Sequence, residues 1–115
     1  MQTPVISIAY YLMASVLGAV GQFLYKSGAA KATGSLETYV FNARLWGGAA
    51  CYVAVMVLFV AAFKRGGALS VLYPVYAATF IWGALIGLAA YGEPIRLVNV
   101  AGMVLLVCGM YLMGR

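Results

Sequence analysis

Tyr11, Ser15, Gly18, Gln22 and Lys26 follow one another at intervals of 4, 3, 4 and 4 residues. At roughly 3.6 residues per turn this keeps a phenol, a hydroxyl, an amide and an ammonium on one helix face, with a glycine among them. The surrounding sequence is apolar. An ionisable residue inside such a stretch is costly and marks a functional position by default, while a lysine near a helix end can instead snorkel to head groups. Both readings of Lys26 stand at this point. A second group, Tyr73, Tyr76, Phe80, Ala84, Gly87 and Tyr91, shares one face of a later segment, with Trp82 on the opposite side. Pro74 lies between the first two tyrosines. It cannot donate to the carbonyl of Ser70 and is expected to kink the helix there, opening a groove supplied with tyrosine hydroxyls. Ordinary packing and an aromatic belt at the membrane interface are the alternative for these rings.

Little else in the chain can do covalent chemistry. Histidine is absent, and the only acids, Glu37 and Glu93, stand apart in connections. No glycine-rich loop runs into Lys-Ser or Lys-Thr. Cys51 and Cys108 have no histidine or carboxylate neighbours in sequence and read as small hydrophobes. No catalytic residue, metal site or cofactor is therefore expected, and an enzyme is disfavoured.

Composition says where these residues must work. Hydrophobic residues make up 66% of the 115 and charged residues 8%, against soluble averages of about half and a quarter. Four apolar segments, Val5–Ala29, Leu45–Phe63, Ala68–Tyr91 and Ile95–Met113, are each long enough to cross a bilayer, which takes about 20 residues. The first lacks a basic start, since Met1–Tyr10 holds no Lys or Arg, and reads as a retained helix rather than a signal peptide. Net charge is +5, but the basic residues sit mostly at segment ends, where they anchor helices against anionic lipid. Nucleic acid is not an expected partner.

Lipid leaves helices or a closed barrel as the only spanning structures. Residues 1–115 are thus expected to form one all-α domain, a membrane-embedded four-helix up-down bundle with a kinked third helix. The connection Lys31–Arg44, with turn residues Thr33-Gly34-Ser35, has room for a short interfacial turn. Lys64-Arg65-Gly66-Gly67 forms a tight basic turn, and Glu93-Pro94 is expected to begin the last helix. Lys64, Arg65 and Arg115 fall on one side of the membrane and Lys31, Arg44 and Arg96 on the other. That balance gives almost no charge bias, so insertion in both orientations and an antiparallel dimer are open to the chain. Gly102 and Gly109, with Leu105 between them, form a small-residue face suited to close helix packing, within the chain or across a dimer.

Gly21-Gln22 with Lys26, Tyr73-Pro74, Gly92-Glu93-Pro94 and the Gly102…Gly109 helix, in this order and spacing, resemble the four-helix branch of the drug/metabolite transporter superfamily. Two subfamilies are similar. The small multidrug resistance exporters resemble the chain at Tyr73 and in the Gly102–Gly109 helix, and carry a tryptophan where Tyr76 stands. They exchange protons for organic cations through a helix-1 glutamate, a position held here by Gly18. The subunits of aminoarabinose-phosphoundecaprenol flippase type share Gly21-Gln22-x-x-x-Lys26, Tyr73-Pro74 and Glu93-Pro94. This closer resemblance implies a small multidrug resistance-like fold in the bacterial inner membrane and transport of an anionic lipid-linked substrate such as a polyprenyl-phosphate sugar. It also implies a dimer, of two copies or with a similar chain. Substrate contacts are then expected from Lys26, Gln22, Ser15, Tyr73 and Tyr76, with Gly102, Leu105 and Gly109 at the dimer interface. A small-molecule exporter and an accessory subunit of a membrane complex are the alternatives.

Overall fold

A computed structural model describes residues 3–114, and among these the fold is entirely helical. Six helices follow in order: α1 Val5–Lys31, α2 Leu36–Val40, α3 Ala43–Arg65, α4 Leu69–Val75, α5 Ala78–Tyr91 and α6 Leu97–Met113. Three stretches are long and apolar enough to cross a membrane: α1, α3 and the combined Leu69–Tyr91. α6, at 17 residues, is a shorter apolar helix. Arg115, counted above in the charge balance, lies outside the described residues.

Local chemistry sets the ends. Pro4 precedes α1, where its missing N–H would be unpaired in any case. The Asn42 side chain caps α3 by accepting from Arg44 N at 3.1 Å and donates to Gly28 O at 2.8 Å, so one residue starts α3 and ties it to the end of α1. The room expected in the first connection is filled by α2. α3 stops at Gly66, whose φ of 107° only glycine adopts readily. At this end the single Ser7 hydroxyl hydrogen is shared between Gly66 O at 2.7 Å and Ala62 O at 2.9 Å, holding the turn against the first turn of α1.

α1 is the hub. It packs on α3 along its length and on α4 and α5, whereas α6 packs chiefly on α4 and α5. Small residues at Ala14, Ser15, Gly18, Ala19, Gly21 and Gly28 are the buried ones along most of α1. They admit large rings from the neighbours: a Cβ on Gly21 would stand 2.8 Å from the Tyr52 ring. A core of Tyr11, Ala62, Leu72 and Val75 closes the other half. Most large apolar side chains of α3 and α6 face outward, which suits lipid and not water.

Two expectations need correction. Pro94 does not sit in the first turn of the last helix; α6 begins at Leu97, with Asn99 Oδ1 accepting from Arg96 N at 2.8 Å. The third apolar segment is interrupted two residues beyond Pro74, rather than at Ser70. Around Tyr76–Ala77 the bonds tighten to Tyr76 N→Tyr73 O at 3.0 Å, Ala77 N→Pro74 O at 2.9 Å and Thr79 N→Tyr76 O at 2.9 Å. A 3₁₀ step advances about 120° per residue against about 100° in an α-helix. Everything after Ala77 is therefore rotated from the phase that a regular helix would give. Thr79 and Gly83 come to face α1, Phe80 stays at the edge of the same hollow and largely exposed, and Ala84 turns to the hollow beside α6. The same rotation brings Trp82, expected on the far side, toward α1.

Candidate functional site

The upper half of α1 faces a groove. Two neighbouring hollows of about 450 and 170 Å³ share Ala19, Gln22 and Gly83 in their linings and lie along the flank of α1, facing α3 and α5. The larger part is lined by hydroxyls: Tyr52 from α3, Tyr76 from the broken step and Thr79 from α5. The narrower part ends at Lys26, Tyr91 and Glu93.

Each polar group in the groove is positioned by another. Gln22 Nε2 donates to Tyr52 Oη at 2.6 Å, and Tyr52 Oη donates to Gly18 O at 3.3 Å. The Tyr52 ring is fixed by stacking on Tyr25, centroids 5.4 Å apart and planes 11° from parallel. Tyr76 packs edge-on to Phe59 at 5.1 Å. A side chain on Gly18 would run into Tyr76 Oη, so the glycine is what admits that hydroxyl beside α1.

At the narrow end Lys26 Nζ meets Glu93 Oε2 at 2.6 Å and stands 4.5 Å from the centre of the Tyr91 ring. Glu93 reaches it because Gly92 turns left-handed at φ 66° and Glu93 N bonds back to Gly87 O at 3.1 Å. That return lays the carboxylate over the last turn of α5. Gly87 has no Cβ there, and one would collide with Glu93 Oε1.

Of the five expected contact residues, Gln22, Lys26 and Tyr76 line the groove. Ser15 does not: it is buried between helices, donating to Leu12 O at 2.6 Å and accepting from Trp82 Nε1 at 3.1 Å. Tyr73 is 63% exposed and is not among the lining residues. Three groove residues escaped the sequence reading. Tyr52 carries the one hydroxyl of Ala43–Arg65, Thr79 appears only once the helix phase shifts, and Glu93 is one of just two carboxylates available to a lysine that needs a counter-charge. Gly102 and Gly109 have no neighbouring atom within 4 Å of an added Cβ, and Leu105 is 72% exposed, so this face of α6 is open. Among the described residues no group of three or more His, Cys, Asp or Glu side chains comes together.

The chain matches no protein-family model, no curated protein and no solved structure. Its own geometry defines the class. Three helices long and apolar enough to span, with most large apolar side chains of α3 and α6 turned outward, have the make-up of a multi-pass membrane protein.

Proposed function

We propose that the protein is a transporter of an anionic lipid-linked substrate in a bacterial inner membrane, with a polyprenyl-phosphate sugar as its cargo. The observation that carries this is the groove itself, which runs from the hydroxyls of Tyr52, Tyr76 and Thr79 to the ammonium of Lys26 along the flank of one spanning helix. Lys26 binds the phosphate as a point charge, and Gln22 with the hydroxyls binds the polar head. The tail stays in lipid beside the groove. The resemblance to aminoarabinose-phosphoundecaprenol flippase-type subunits and a small multidrug resistance-like four-helix arrangement belong to this reading. So does a dimer formed through the open α6 face, between two copies or with a similar chain. Rocking of the two bundles would then expose the groove to each side in turn. Export of an organic cation is less well served, because the one carboxylate at the groove already faces a lysine.

Reconstituted vesicles test it. Lys26→Ala is expected to cut translocation of a polyprenyl-phosphate sugar about tenfold or more, and Lys26→Arg to retain part of it, since the charge survives and the shape changes. Lys31→Ala, one turn further on at the exposed end of α1, is the control for a lysine that only meets head groups. Equal, near-wild-type rates for Lys26→Ala and Lys31→Ala would refute the proposal.

A further inference from the structure

We infer that the Glu93 carboxylate is an internal stand-in for the substrate's phosphate: it occupies the anion subsite on Lys26, and a phosphate-bearing ligand binds by displacing it. The inference rests on the proposed anionic substrate and names how that site is regulated.

Three observations carry it. First, Lys26 is already paired, at 2.6 Å, by a carboxylate rather than left as a bare ammonium. The pair is open, with side chains 56% and 54% exposed, so an incoming anion can reach it. The substrate's phosphodiester carries the same single charge and two free oxygens as the carboxylate, so it can take the place of Glu93 on Lys26. Tyr91, 4.5 Å from the ammonium, belongs to neither anion and stays as the platform under Lys26 whichever is bound.

Second, the carboxylate has somewhere to go. Glu93 borders two cavities: the narrow end of the α1–α5 groove and a hollow of about 500 Å³ between α5 and α6, where Asn99 also lies. Glu93 lines both, so its carboxylate has a second cavity to turn into while the Glu93 N to Gly87 O bond is kept. Third, Gly87 makes the paired position possible, since any Cβ there would meet Glu93 Oε1. The obstructed atom is the far end of a flexible side chain, so Gly87→Ala is expected to push the carboxylate off Lys26 without removing a charge and without cost to the helix.

The reasoning yields a sign. If Glu93 holds Lys26 most of the time, only a fraction of molecules is competent to bind an anion, and the apparent affinity is reduced by that fraction. Releasing the lysine should tighten binding by about three- to tenfold. The opposite sign follows if Glu93 merely positions the lysine for its ligand.

Binding of farnesyl phosphate to the purified full chain in lipid nanodiscs decides between them, with farnesol and inorganic phosphate as parallel probes. Glu93→Gln and Gly87→Ala are each expected to tighten farnesyl phosphate about three- to tenfold and to leave farnesol unchanged. Lys26→Ala should lose the phosphate preference, and Lys26→Ala/Glu93→Gln should not regain it. The Gly87→Ala arm separates release of the lysine from a general gain of positive charge. Unchanged or weaker farnesyl phosphate binding in both Glu93→Gln and Gly87→Ala, with Lys26→Ala still impaired, overturns the exchange while sparing the proposed function. Equal binding by wild type and Lys26→Ala overturns both. Tightening seen equally with inorganic phosphate supports the exchange and overturns a lipid as its required source.

Discussion

Tyr52→Phe removes one oxygen and should weaken the α1–α3 contact by an amount the geometry sets. The hydroxyl accepts from Gln22 Nε2 at 2.6 Å and donates to Gly18 O at 3.3 Å; the first bond is short, the second long. Phenylalanine keeps the ring on Tyr25 and against Gly21, so packing is conserved and only the hydrogen bonds are lost. Side-chain hydrogen bonds between membrane helices average about 0.6 kcal/mol and reach about 1.7 kcal/mol. The short bond, between side chains on two helices, belongs toward the upper end. Gln22→Leu removes the same bond from the other partner. In a double-mutant cycle read by denaturant titration in bicelles, the two losses should therefore overlap by about 0.6–1.7 kcal/mol rather than add. Additivity within about 0.3 kcal/mol would mean that Gln22 and Tyr52 do not meet, and the hydroxyl-lined part of the groove would lose its organising bond.

Ser15→Ala should act on stability and not on transport. It strips the Trp82 indole N–H of its acceptor, a loss of about 1–2 kcal/mol, while translocation per folded molecule stays at the wild-type rate; a fall in rate with unchanged stability would return Ser15 to the substrate path. An added Cβ at Gly102 or Gly109 meets no atom within 4 Å, so in Gly102→Leu with Gly109→Leu the fold should survive while crosslinked dimer yield in lipid falls; an undiminished yield removes this face from the interface.

The apolar segments were legible in the sequence because lipid enforces long apolar runs, and their outer ends agree with the expectation to within two residues. Only three of the four expected spans are long enough to cross, α6 falling short at 17 residues. The α1 stripe was legible for the same reason: it lies within one uninterrupted helix, where about 100° per residue holds. Reading failed where that regularity stops. The tightened bonds of Tyr76, Ala77, Thr79 and Phe80 after Pro74 bring Thr79 to the inward face, and periodicity has no way to register them. It failed again where contacts cross the chain. Lys26 and Glu93 are 67 residues apart, and each alone had a complete local explanation, snorkelling for one and a helix start for the other. Counting charges would have paired them, since an apolar chain with two carboxylates leaves a membrane lysine few choices.

The stripe on α1 divides near Gly18 by the kind of partner each polar group has. Ser7 and Ser15 donate to the backbone carbonyls of Ala62, Gly66 and Leu12, which cannot move aside unless a helix or turn moves. Gln22 and Lys26 are held by the side chains of Tyr52 and Glu93, and both of these bonds are exposed. A side-chain partner swings away by rotating about its own bonds, and the group it releases faces the groove. Every polar atom in a membrane must be satisfied, but only an exchangeable partner lets that requirement be met first within the protein and then by a ligand. Ser15 also accepts from the Trp82 indole, but Ser15 is itself buried between helices, so the exchangeable partners that face open space are those of Gln22 and Lys26.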